Sequence, residues 1–593
     1  MLFGKHINEY YLKYGIVLLT GIVALLLVDY FQLKIPDIVG DIVDGLQFKT
    51  LTKDKLKDYV LLLGVVAIVM FFGRFIWRIC LFGTGIRVEC NLRNKVFKNM
   101  QFLSQRFFQE NKTGNLMSIY TNDLTLIRQS FGMGTMMLVD AVCLGAMALY
   151  KMFSLNALLS IFSLVSLVLV TLCSSLIGKK ITKATENNFK AYGALSDFVQ
   201  EDFSGISVIK AFVLEKLQVK LFSKYNTENM DSTLVMTKLS VKLNIIITVI
   251  LSFVNIGIIV YGGYLIYLRK NGLSTNLFSV GDLIKFSAYF GTLIWPIEAV
   301  GRLIDMHSQG KASLNRVSKI IDAEKEINDS LVTEECKNIT TLEGDIEYRN
   351  LSFSYPNDSK KVLHNVNLKI NKGEFVGIIG ETGSGKTTIV DLLLRLYNID
   401  ANMLFVDGHD IMNLPLKTVR NNIAYVPQDN FLYGDKITRN IAFSEVNEID
   451  IDKVYETANI SGVKNDIDGF NNGFDTVLGE RGITISGGQK QRVSIARALY
   501  KNANILILDD SLSAVDTETE KTIITNLRNI RRGKTTIIIA HRITTLQNLD
   551  KIVVVNDGTI TGVGTHEELL KTNASYAREA YLQELEKEVD SNE

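Results

Sequence analysis

The chain has 593 residues, which is too long for a single hydrophobic core, so two or more domains are expected. Its hydrophobic content of 47% and its net charge of +1 argue against a nucleic-acid-binding protein, which would carry an excess of basic residues. The first half carries several long apolar runs, whereas the second half has charges scattered throughout. The composition therefore predicts a membrane-embedded half followed by a soluble α/β domain.

Six stretches of the first half are apolar enough to cross a bilayer as helices, which takes about 20 residues each. They run Gly15–Leu33, Tyr59–Phe82, Met133–Met152, Leu155–Leu176, Leu243–Tyr267 and Leu283–Ile304. Two long loops of helical character, Gly85–Ser130 and Lys179–Lys242, are rich in Lys and Arg. The positive-inside rule predicts that these loops are cytoplasmic. An even number of spans then places both termini in the cytosol.

Several ionisable side chains interrupt the predicted spans. Charges inside a membrane are costly and usually face a bundle interior or a wet cavity. Two interpretations stay open: either the charges lie near helix ends and pair structurally, or some of them line a transport pathway. Arg74, Arg78, Lys285 and Glu298 are the candidates for the second. The full set is Asp29, Arg74, Arg78, Asp140, Lys285 and Glu298.

A glycine-rich loop over residues 380–388, GETGSGKTT, follows a strand-like run and precedes a helix-like run. It matches GxxxxGK[ST] in the strand–loop–helix context that this motif requires. Glycines let backbone N–H groups converge on phosphate oxygens, and the helix N-terminus adds partial positive charge. We expect Lys386 to reach the β- and γ-phosphates and Thr387 to hold Mg²⁺. The predicted ATP-binding residues of this loop are Gly380, Gly383, Ser384, Gly385, Lys386, Thr387 and Thr388.

An acidic segment later in the chain supports this interpretation of the glycine-rich loop. Residues 505–510, ILILDD, have the pattern of a buried strand that ends in two carboxylates. Such a strand end is typical of the metal-binding acid that accompanies a P-loop, and Asp509 would help to place Mg²⁺.

Between these segments lies ISGGQKQR, residues 485–492, which closely resembles the signature peptide of ABC transporters. The resemblance implies that Ser486, Gly487, Gly488 and Gln489 bind nucleotide. Further residues match the family's pattern in the family's order. They are Tyr355 for the adenine-stacking aromatic, Gln428 for the Q-loop, residues 476–482 for the contact with membrane helices, Asp516 for the D-loop and His541 for the H-loop.

The resemblance covers nearly the whole chain and implies the exporter type of this family. The implied fold is an all-α six-helix transmembrane domain followed by an α/β P-loop ATPase domain. The implied bounds are 1–320 for the transmembrane domain, 321–340 for a linker, 341–577 for the nucleotide-binding domain and 578–593 for a polar tail. Two loop segments resemble the coupling helices, Gly114–Asp123 and Glu201–Lys210.

The chain has one P-loop and one signature peptide, whereas the family sandwiches nucleotide between the P-loop of one domain and the signature of another. The resemblance therefore implies a second half-transporter chain. It also implies catalytic roles for Gln428 and His541, nucleotide contact for Tyr355 and Asp516, and Mg²⁺ contact for Gln428.

One residue departs from the pattern. The family's catalytic base is usually Glu, and here it is Asp510. A side chain shorter by one methylene moves the carboxylate by roughly 1–1.5 Å. A misplacement of about 1 Å can cost on the order of 100-fold in rate. We therefore expect a site that binds ATP well and hydrolyses it poorly, as in the degenerate-site subunit of heterodimeric bacterial multidrug exporters.

The sequence thus predicts a subunit of an ATP-driven export pump for drug-like or amphipathic compounds. It is expected in the cell membrane, with ATP and Mg²⁺ as ligands, a non-identical partner chain and no nucleic acid. Two alternatives stay open. One is an exporter-fold pump for peptide, lipid or metal chelate, and the other is a regulatory membrane protein gated by ATP.

Overall fold

The computed structural model describes residues 4–271, 278–356, 358, 360–479, 482 and 484–592, and the side chains up to residue 585. It divides into two compact units. The membrane unit comprises Met1–Met100 and Gly114–Asp322, and the ATPase unit comprises Gln101–Thr113 and Ala323–Glu593.

The described part of the membrane unit is helical. Its helices are α1 (Asn8–Lys13), α2 (Gly15–Gln47), α3 (Lys53–Met100), α5 (Thr113–Ser118), α6 (Leu124–Val139), α7 (Gly145–Leu155), α8 (Ala157–Ser204), α9 (Ile206–Ala211), α10 (Glu215–Lys270) and α11 (Val280–Ile321). Two π-helical turns, Ile119–Asp123 and Asp140–Leu144, interrupt the run between α5 and α7.

Within the described residues, five helical stretches are long and apolar enough to cross a membrane. They are Gly15–Gln47, Lys53–Met100, Thr113–Leu155, Ala157–Ser204 and Glu215–Lys270. The first, second, third and fifth predicted spans lie within them, and the fourth, Leu155–Leu176, lies within Ala157–Ser204 except for its first two residues. The predicted sixth span, Leu283–Ile304, lies in α11, which is a continuous helix but is not one of the five. Charged side chains such as Lys285, Glu298 and Arg302 lower its apolar content. The sixth span therefore stays a prediction.

Packing in the membrane unit joins helices in pairs: α2 with α3, α6 with α11, and α8 with α10. The ends of the helices are fixed by side chains. The Asn156 side chain accepts a hydrogen bond from the N–H of Leu159 at the start of α8. Ser279 and Asp282 form a reciprocal capping box at the start of α11, which satisfies two N–H groups that the helix itself leaves unpaired.

Three of the four pathway candidates have partners. They are Lys285, which pairs with Asp41 at 2.7 Å, Glu298, which pairs with Arg302 at 3.7 Å, and Arg78, whose guanidinium lies 5.5 Å from the centre of the Trp77 ring. For these three the structural interpretation is favoured over a place in a pathway.

The ATPase unit contains two sheets. The strands are β1 (Ile346–Phe353), β2 (Leu363–Ile370), β3 (Phe375–Ile379), β4 (Leu404–Val406), β5 (His409–Asp410), β6 (Ile423–Val426), β7 (Ile505–Asp509), β8 (Thr535–Ile539), β9 (Lys551–Asn556) and β10 (Thr559–Gly564). The smaller sheet has the order β2-β1-β4-β5 and is antiparallel. The larger has the order β10-β9-β3-β8-β7-β6, in which all neighbours except β10 and β9 are parallel.

The central strands β3, β7 and β8 are buried along their whole length, as expected of parallel strands covered on both faces. Helices of this unit are α4 (Gln105–Glu110), α12 (Lys386–Leu393), α13 (Leu416–Asn421), α14 (Ile437–Ile441), α15 (Ile451–Ile460), α16 (Lys464–Asp468), α17 (Gly487–Lys501), α18 (Thr517–Ile530), α19 (Ile543–Leu546), α20 (His566–Thr572) and α21 (Ala574–Asn592). The predicted order of an all-helical domain followed by an α/β domain is confirmed.

The boundaries of the ATPase unit differ from the predicted ones. Cys336, in the predicted linker 321–340, is buried in the core of the ATPase unit, which explains why this segment belongs to that unit. The predicted polar tail 578–593 is helical up to Asn592, because it continues α21. Tyr576 at the start of α21 is buried against the core of the larger sheet.

A segment of the first long loop, Gln101–Thr113, also belongs to the ATPase unit. In it the side chain of Gln109 accepts a hydrogen bond from the Tyr397 hydroxyl at 3.0 Å, and Ser104 donates one to Glu326 at 2.8 Å. The predicted coupling region Gly114–Asp123 lies in the membrane unit instead. Its last residue, Asp123, is held there by Arg316, which donates to it at 2.9 Å.

Candidate functional site

The glycine-rich loop follows β3 and enters α12, as the sequence predicts. Gly383 and Gly385 have φ angles of +84° and +97°, a region that side chains other than glycine rarely adopt. A Cβ at Gly385 would also lie 2.7 Å from the side chain of Leu363. Glycine is therefore required at Gly385 both for its backbone conformation and for the close approach of β2.

Lys386 begins α12 and is buried beneath the loop. Its amino group donates hydrogen bonds to the carbonyl oxygens of Gly380 and Glu381, both at 2.8 Å. Burial lowers the pKa of Lys386, and the nearby carboxylates Asp509 and Asp510 oppose that shift. The amino group thus lies at the loop, held by two carbonyl oxygens that a phosphate oxygen could replace.

Asp509 is the last residue of β7 and only 1% exposed. Burial raises the pKa of its carboxyl group, and hydrogen bonds from Thr387 and Tyr425 partly oppose this effect. The Tyr425 hydroxyl lies 3.4 Å from Asp509 Oδ2. A carboxylate, two hydroxyls and the amide oxygen of Gln428 are hard oxygen donors, which is the ligand type that Mg²⁺ prefers.

Asp510 follows β7 with a φ of +45°. Its backbone N–H donates to the carbonyl of Ile539 at 2.9 Å, which extends the pairing of β7 with β8 by one residue. Its side chain accepts a hydrogen bond from Gln428 Nε2 at 3.3 Å. The carboxylate of Asp510 therefore lies at the end of the parallel sheet, held between the β7 end and the Q-loop.

Tyr355 lies close to the same loop. Its hydroxyl is 2.9 Å from the Thr388 hydroxyl, and its ring packs edge-on against Tyr397, with ring centres 5.1 Å apart. The ring is therefore positioned next to the P-loop helix, where a planar base could contact it.

These groups line one cleft of about 320 Å³, here called the P-loop cleft. It lies beyond the carboxyl ends of β3, β6, β7 and β8, the edge where parallel α/β sheets bind ligands. Ten of the predicted site residues line it: Tyr355, Gly383, Gly385, Lys386, Thr387, Thr388, Gln428, Asp509, Asp510 and His541. Gly380 borders a neighbouring cavity, and the buried hydroxyl of Ser384 has no hydrogen-bond partner among the described residues.

The predicted signature residues lie elsewhere in the unit. Ser486 caps α17 and forms a capping box with Gln489, in which each side chain bonds the other's N–H, at 3.2 and 3.0 Å. A Cβ at Gly488 would lie 2.7 Å from the carbonyl oxygen of Ala514, so this glycine allows α17 to approach the D-loop. None of Ser486, Gly487, Gly488 and Gln489 lines the P-loop cleft.

Asp516 does not line the cleft either. Its side chain caps α18 by accepting a hydrogen bond from the N–H of Thr519 at 2.9 Å. That hydrogen bond lowers the pKa of Asp516. The geometry within this chain thus gives Asp516 a helix-capping role.

Two glutamines that sequence reasoning missed hold these loops. Gln491 donates to the Ser513 hydroxyl at 3.1 Å and accepts from the N–H of Ala514 at 2.9 Å, which ties α17 to the D-loop. Gln583 of α21 donates to the carbonyl of His541 and accepts from the N–H of Ile543, both at 2.8 Å. No sequence signal pointed to Gln583, since it lies in the predicted polar tail.

The segment 476–482 is only partly described. Glu480 and Arg481, which belong to its predicted contact with membrane helices, lie outside the described residues. Val477 forms an isolated bridge with Lys436 before that point.

Family models match both units. Residues 18–297 match the family model "ABC transporter transmembrane region", and residues 363–513 match the family model "ABC transporter". A solved bacterial Atm1-family ABC exporter with ATP bound has the same fold, with a TM-score of 0.76 at 24% identity over 97% of this chain and 98% of that one.

Curated relatives span the same length. The chain is similar to the probable multidrug resistance ABC transporter ATP-binding/permease protein YheI of Bacillus subtilis. The two are 33% identical over 583 residues, and the alignment covers 98% of this chain and 97% of that protein. The chain is 30% identical to the multidrug resistance-like ATP-binding protein MdlA of Escherichia coli, over 96% and 95% of the two chains. An ATP-dependent lipid A-core flippase of Syntrophus aciditrophicus is 34% identical, over 84% and 81%. The chain therefore belongs to the ABC transporter family, as a half-transporter of the exporter fold whose ATPase is coupled to transport.

Proposed function

We propose that this chain is a subunit of a membrane exporter of drug-like or amphipathic compounds, driven by ATP bound in the P-loop cleft. The observation that carries the proposal is the convergence of Lys386, Thr387, Gln428 and Asp509 on one cleft, in a chain whose other half is a bundle of membrane-length helices. The names of two relatives, both multidrug resistance proteins, support the class of substrate. The site of action would be the cell membrane, with both termini in the cytoplasm.

The residues present fit Mg-ATP. Lys386 and the N–H groups at the start of α12 would bind the phosphates, and the buried Ser384 hydroxyl would gain a partner there. Thr387, Gln428 and Asp509 would hold Mg²⁺, which neutralises phosphate charge when bound. Tyr355 would contact the adenine base.

Asp510 would make this chain's own cleft slow in hydrolysis. Its carboxylate is on a shorter side chain than Glu, and it already accepts a hydrogen bond from Gln428. A base must lie within hydrogen-bond reach of the water it activates. ATP bound here would then keep the nucleotide-binding domains closed for a long time, because its hydrolysis is slow.

A second, non-identical chain would complete the transporter. Ser486, Gly487 and Gly488 lie outside this chain's P-loop cleft, which suits a role at a partner's nucleotide. The tip between α8 and α10, which contains the predicted coupling region Glu201–Lys210, also exposes large apolar side chains. These are Phe203, Ile206, Val208, Phe212 and Val213. Such a surface is expected to be covered in the assembled protein.

The first experiment is expression of the chain alone and together with candidate partner chains that carry Glu at the position matching Asp510. We expect ATP-dependent uptake of a fluorescent drug into inside-out vesicles only from the pair. Fast ATP turnover by the chain alone would contradict the heterodimer. Ion current without uptake would favour an ATP-gated membrane protein instead.

The second experiment is Asp510→Glu in the complex. We expect basal ATP turnover to rise by about 10- to 100-fold at this chain's cleft, because the longer side chain restores the position of the carboxylate. An unchanged rate would contradict an impaired site.

Export of a lipid is the second candidate function, favoured by the similarity to the lipid A-core flippase. Movement of a labelled lipid between leaflets of proteoliposomes, with no competition from drugs, would favour it over drug export.

A further inference from the structure

An open cleft of about 400 Å³ lies in the membrane unit, between α2, α3, α11 and the second π-helical turn, and is here called the membrane cavity. Its volume is in the range of small-molecule sites, about 300–1,000 Å³. Asp29, Asp140, Arg74 and the rings of Trp77 and Trp295 contribute to its wall. They come from four different predicted spans, so the cavity lies at membrane depth.

Three polar groups of this wall are buried without a partner among the described residues. Asp29 is 3% exposed and Asp140 is 8% exposed, and one carboxylate oxygen of each, Oδ2 and Oδ1 respectively, makes no hydrogen bond. Trp77 is also buried, at 8% exposed, and its indole N–H has no hydrogen-bond partner among the described residues. Burial of such groups costs free energy unless something compensates for it. Their common location in one cavity indicates that a ligand supplies the missing contacts.

Other aspartates of α2 have partners. The pairs are Asp37 with Lys151 at 2.8 Å and with the Tyr289 hydroxyl, Asp41 with Lys285 at 2.7 Å, and Asp44 with the Ser279 hydroxyl at 2.7 Å and the N–H of Gly281 at 2.8 Å. The fold thus satisfies the carboxylates that hold helices together. Asp29 differs from them because it faces the membrane cavity.

Asp140 has a second unusual feature, since it begins the π-helical turn Asp140–Leu144. Single π-turns inside α-helices occur frequently at functional sites. Its other oxygen, Oδ2, accepts a hydrogen bond from the Trp295 indole N–H at 3.0 Å. This contact fixes the carboxylate next to an aromatic ring and leaves Oδ1 available.

We propose that the membrane cavity is a substrate site for an aromatic monovalent organic cation, held between the carboxylates of Asp29 and Asp140 and the rings of Trp77 and Trp295. Carboxylates neutralise the cation, and indole faces attract cations. Among the described residues no group of three or more His, Cys, Asp or Glu side chains could hold a metal ion, which favours an organic cation. The proposal rests on the export function, whose substrate class it names.

Arg74 is the one basic side chain of this wall. It is exposed, and it forms no ion pair with Asp29 or Asp140 among the described residues. Arg74→Ala should therefore keep or tighten cation binding, whereas an anion site would lose it.

Two further guanidinium groups lie against the tryptophans of this wall: Arg78 is 5.5 Å from the centre of the Trp77 ring, and Arg302, which pairs with Glu298, is 5.8 Å from the centre of the Trp295 ring. A bound cation would share or displace these two ring contacts.

The test compares methyltriphenylphosphonium, a cation, with triphenylphosphine oxide, a neutral molecule of similar shape, on the full-length chain in lipid nanodiscs. Equilibrium dialysis gives the affinities. Tryptophan emission reports the location, because the chain has only 2 Trp residues and both line the cavity. We expect Asp29→Asn and Asp140→Asn each to weaken cation binding by about tenfold and to leave the neutral molecule unaffected. Asp41→Asn, on the same helix but paired outside the cavity, is the matched control.

Unchanged cation affinity in both Asn variants, or an equal loss for the neutral molecule, would overturn the proposal. Asp29→Glu, which keeps the charge, must retain binding even if Asp29→Asn does not fold. The test separates the cation site from the export function. Charge-dependent binding without vesicle uptake would support the cation site and contradict export. Uptake of drugs that does not depend on Asp29 or Asp140 would support export and contradict the cation site.

Discussion

Asp509 in the P-loop cleft and Asp29 in the membrane cavity are buried to a similar degree, 1% and 3% exposed, but their surroundings differ. Asp509 lies at a strand end, with Tyr425 within hydrogen-bond distance and the Lys386 charge nearby. Asp29 lies in the middle of a helix, and one of its oxygens has no partner among the described residues. The first site is organised before its ligand arrives, whereas the second leaves a carboxylate for the ligand to satisfy.

The largest expected effect is on ATP binding in the P-loop cleft. Lys386→Met should weaken ATP binding to the full-length chain by about 100-fold, because a charge that pairs with the phosphates is lost. A fluorescent ATP analogue measures the affinity. Lys372→Met is the control, since this exposed lysine pairs with Glu343 at 3.0 Å and does not line the P-loop cleft. Equal affinities in both variants would mean that the P-loop cleft is not the nucleotide site.

The comparison within the membrane unit predicts different effects of two Asp→Asn substitutions on stability. Asp37→Asn should lower the free energy of unfolding by about 2 kcal/mol, because it weakens the contacts with Lys151 and Tyr289. Asp29→Asn should cause no loss, since it removes a buried charge of which one oxygen has no partner among the described residues. Thermal unfolding in detergent measures both. Equal destabilisation would show that Asp29 is as structural as Asp37.

Asp391 on α12 is a buried carboxyl group of the ATPase unit whose effect on stability should depend on pH. Burial, with Asp509 nearby, raises the pKa of Asp391 to about 6. The folded state then binds more protons than the unfolded state between about pH 4 and 6, so this group lowers stability as the pH rises through that window. Asp391→Asn should therefore stabilise the chain by about 1–2 kcal/mol at pH 7.5 and by less at pH 5. A gain that does not depend on pH would contradict this account.

The smallest effect concerns a positioning residue. Gln583→Ala should lower kcat for ATP about fivefold with KM unchanged, because the H-loop that carries His541 loses two hydrogen bonds to α21. The measurement is made in the Asp510→Glu background, where turnover at this cleft is fast enough to follow.

Tyr581→Ala, an exposed position on the same helix, is the control for Gln583→Ala. Gln583→Glu should be intermediate, since it keeps the acceptor for the Ile543 N–H and loses the donor to His541. A matched loss of kcat and of thermal stability in Gln583→Ala would indicate a general structural role.

The sequence by itself determined the family, the α/β ATPase fold and ten residues of the P-loop cleft. It could do so because the cleft is built from short contiguous peptides at strand ends, and a peptide such as residues 380–388 carries its own backbone geometry and chemistry. It also predicted the first five membrane-length helices from apolar length alone.

Only the tertiary structure decided which intramembrane charges have partners. The sequence placed Arg78, Lys285 and Glu298 among the pathway candidates, and the structure gives each of them a neighbour. The membrane cavity gathers Asp29 and Asp140 from helices more than 100 residues apart, and no local pattern encodes such a meeting. Gln583 was missed for the same reason, because a hydrogen bond between α21 and the H-loop exists only when distant segments pack together.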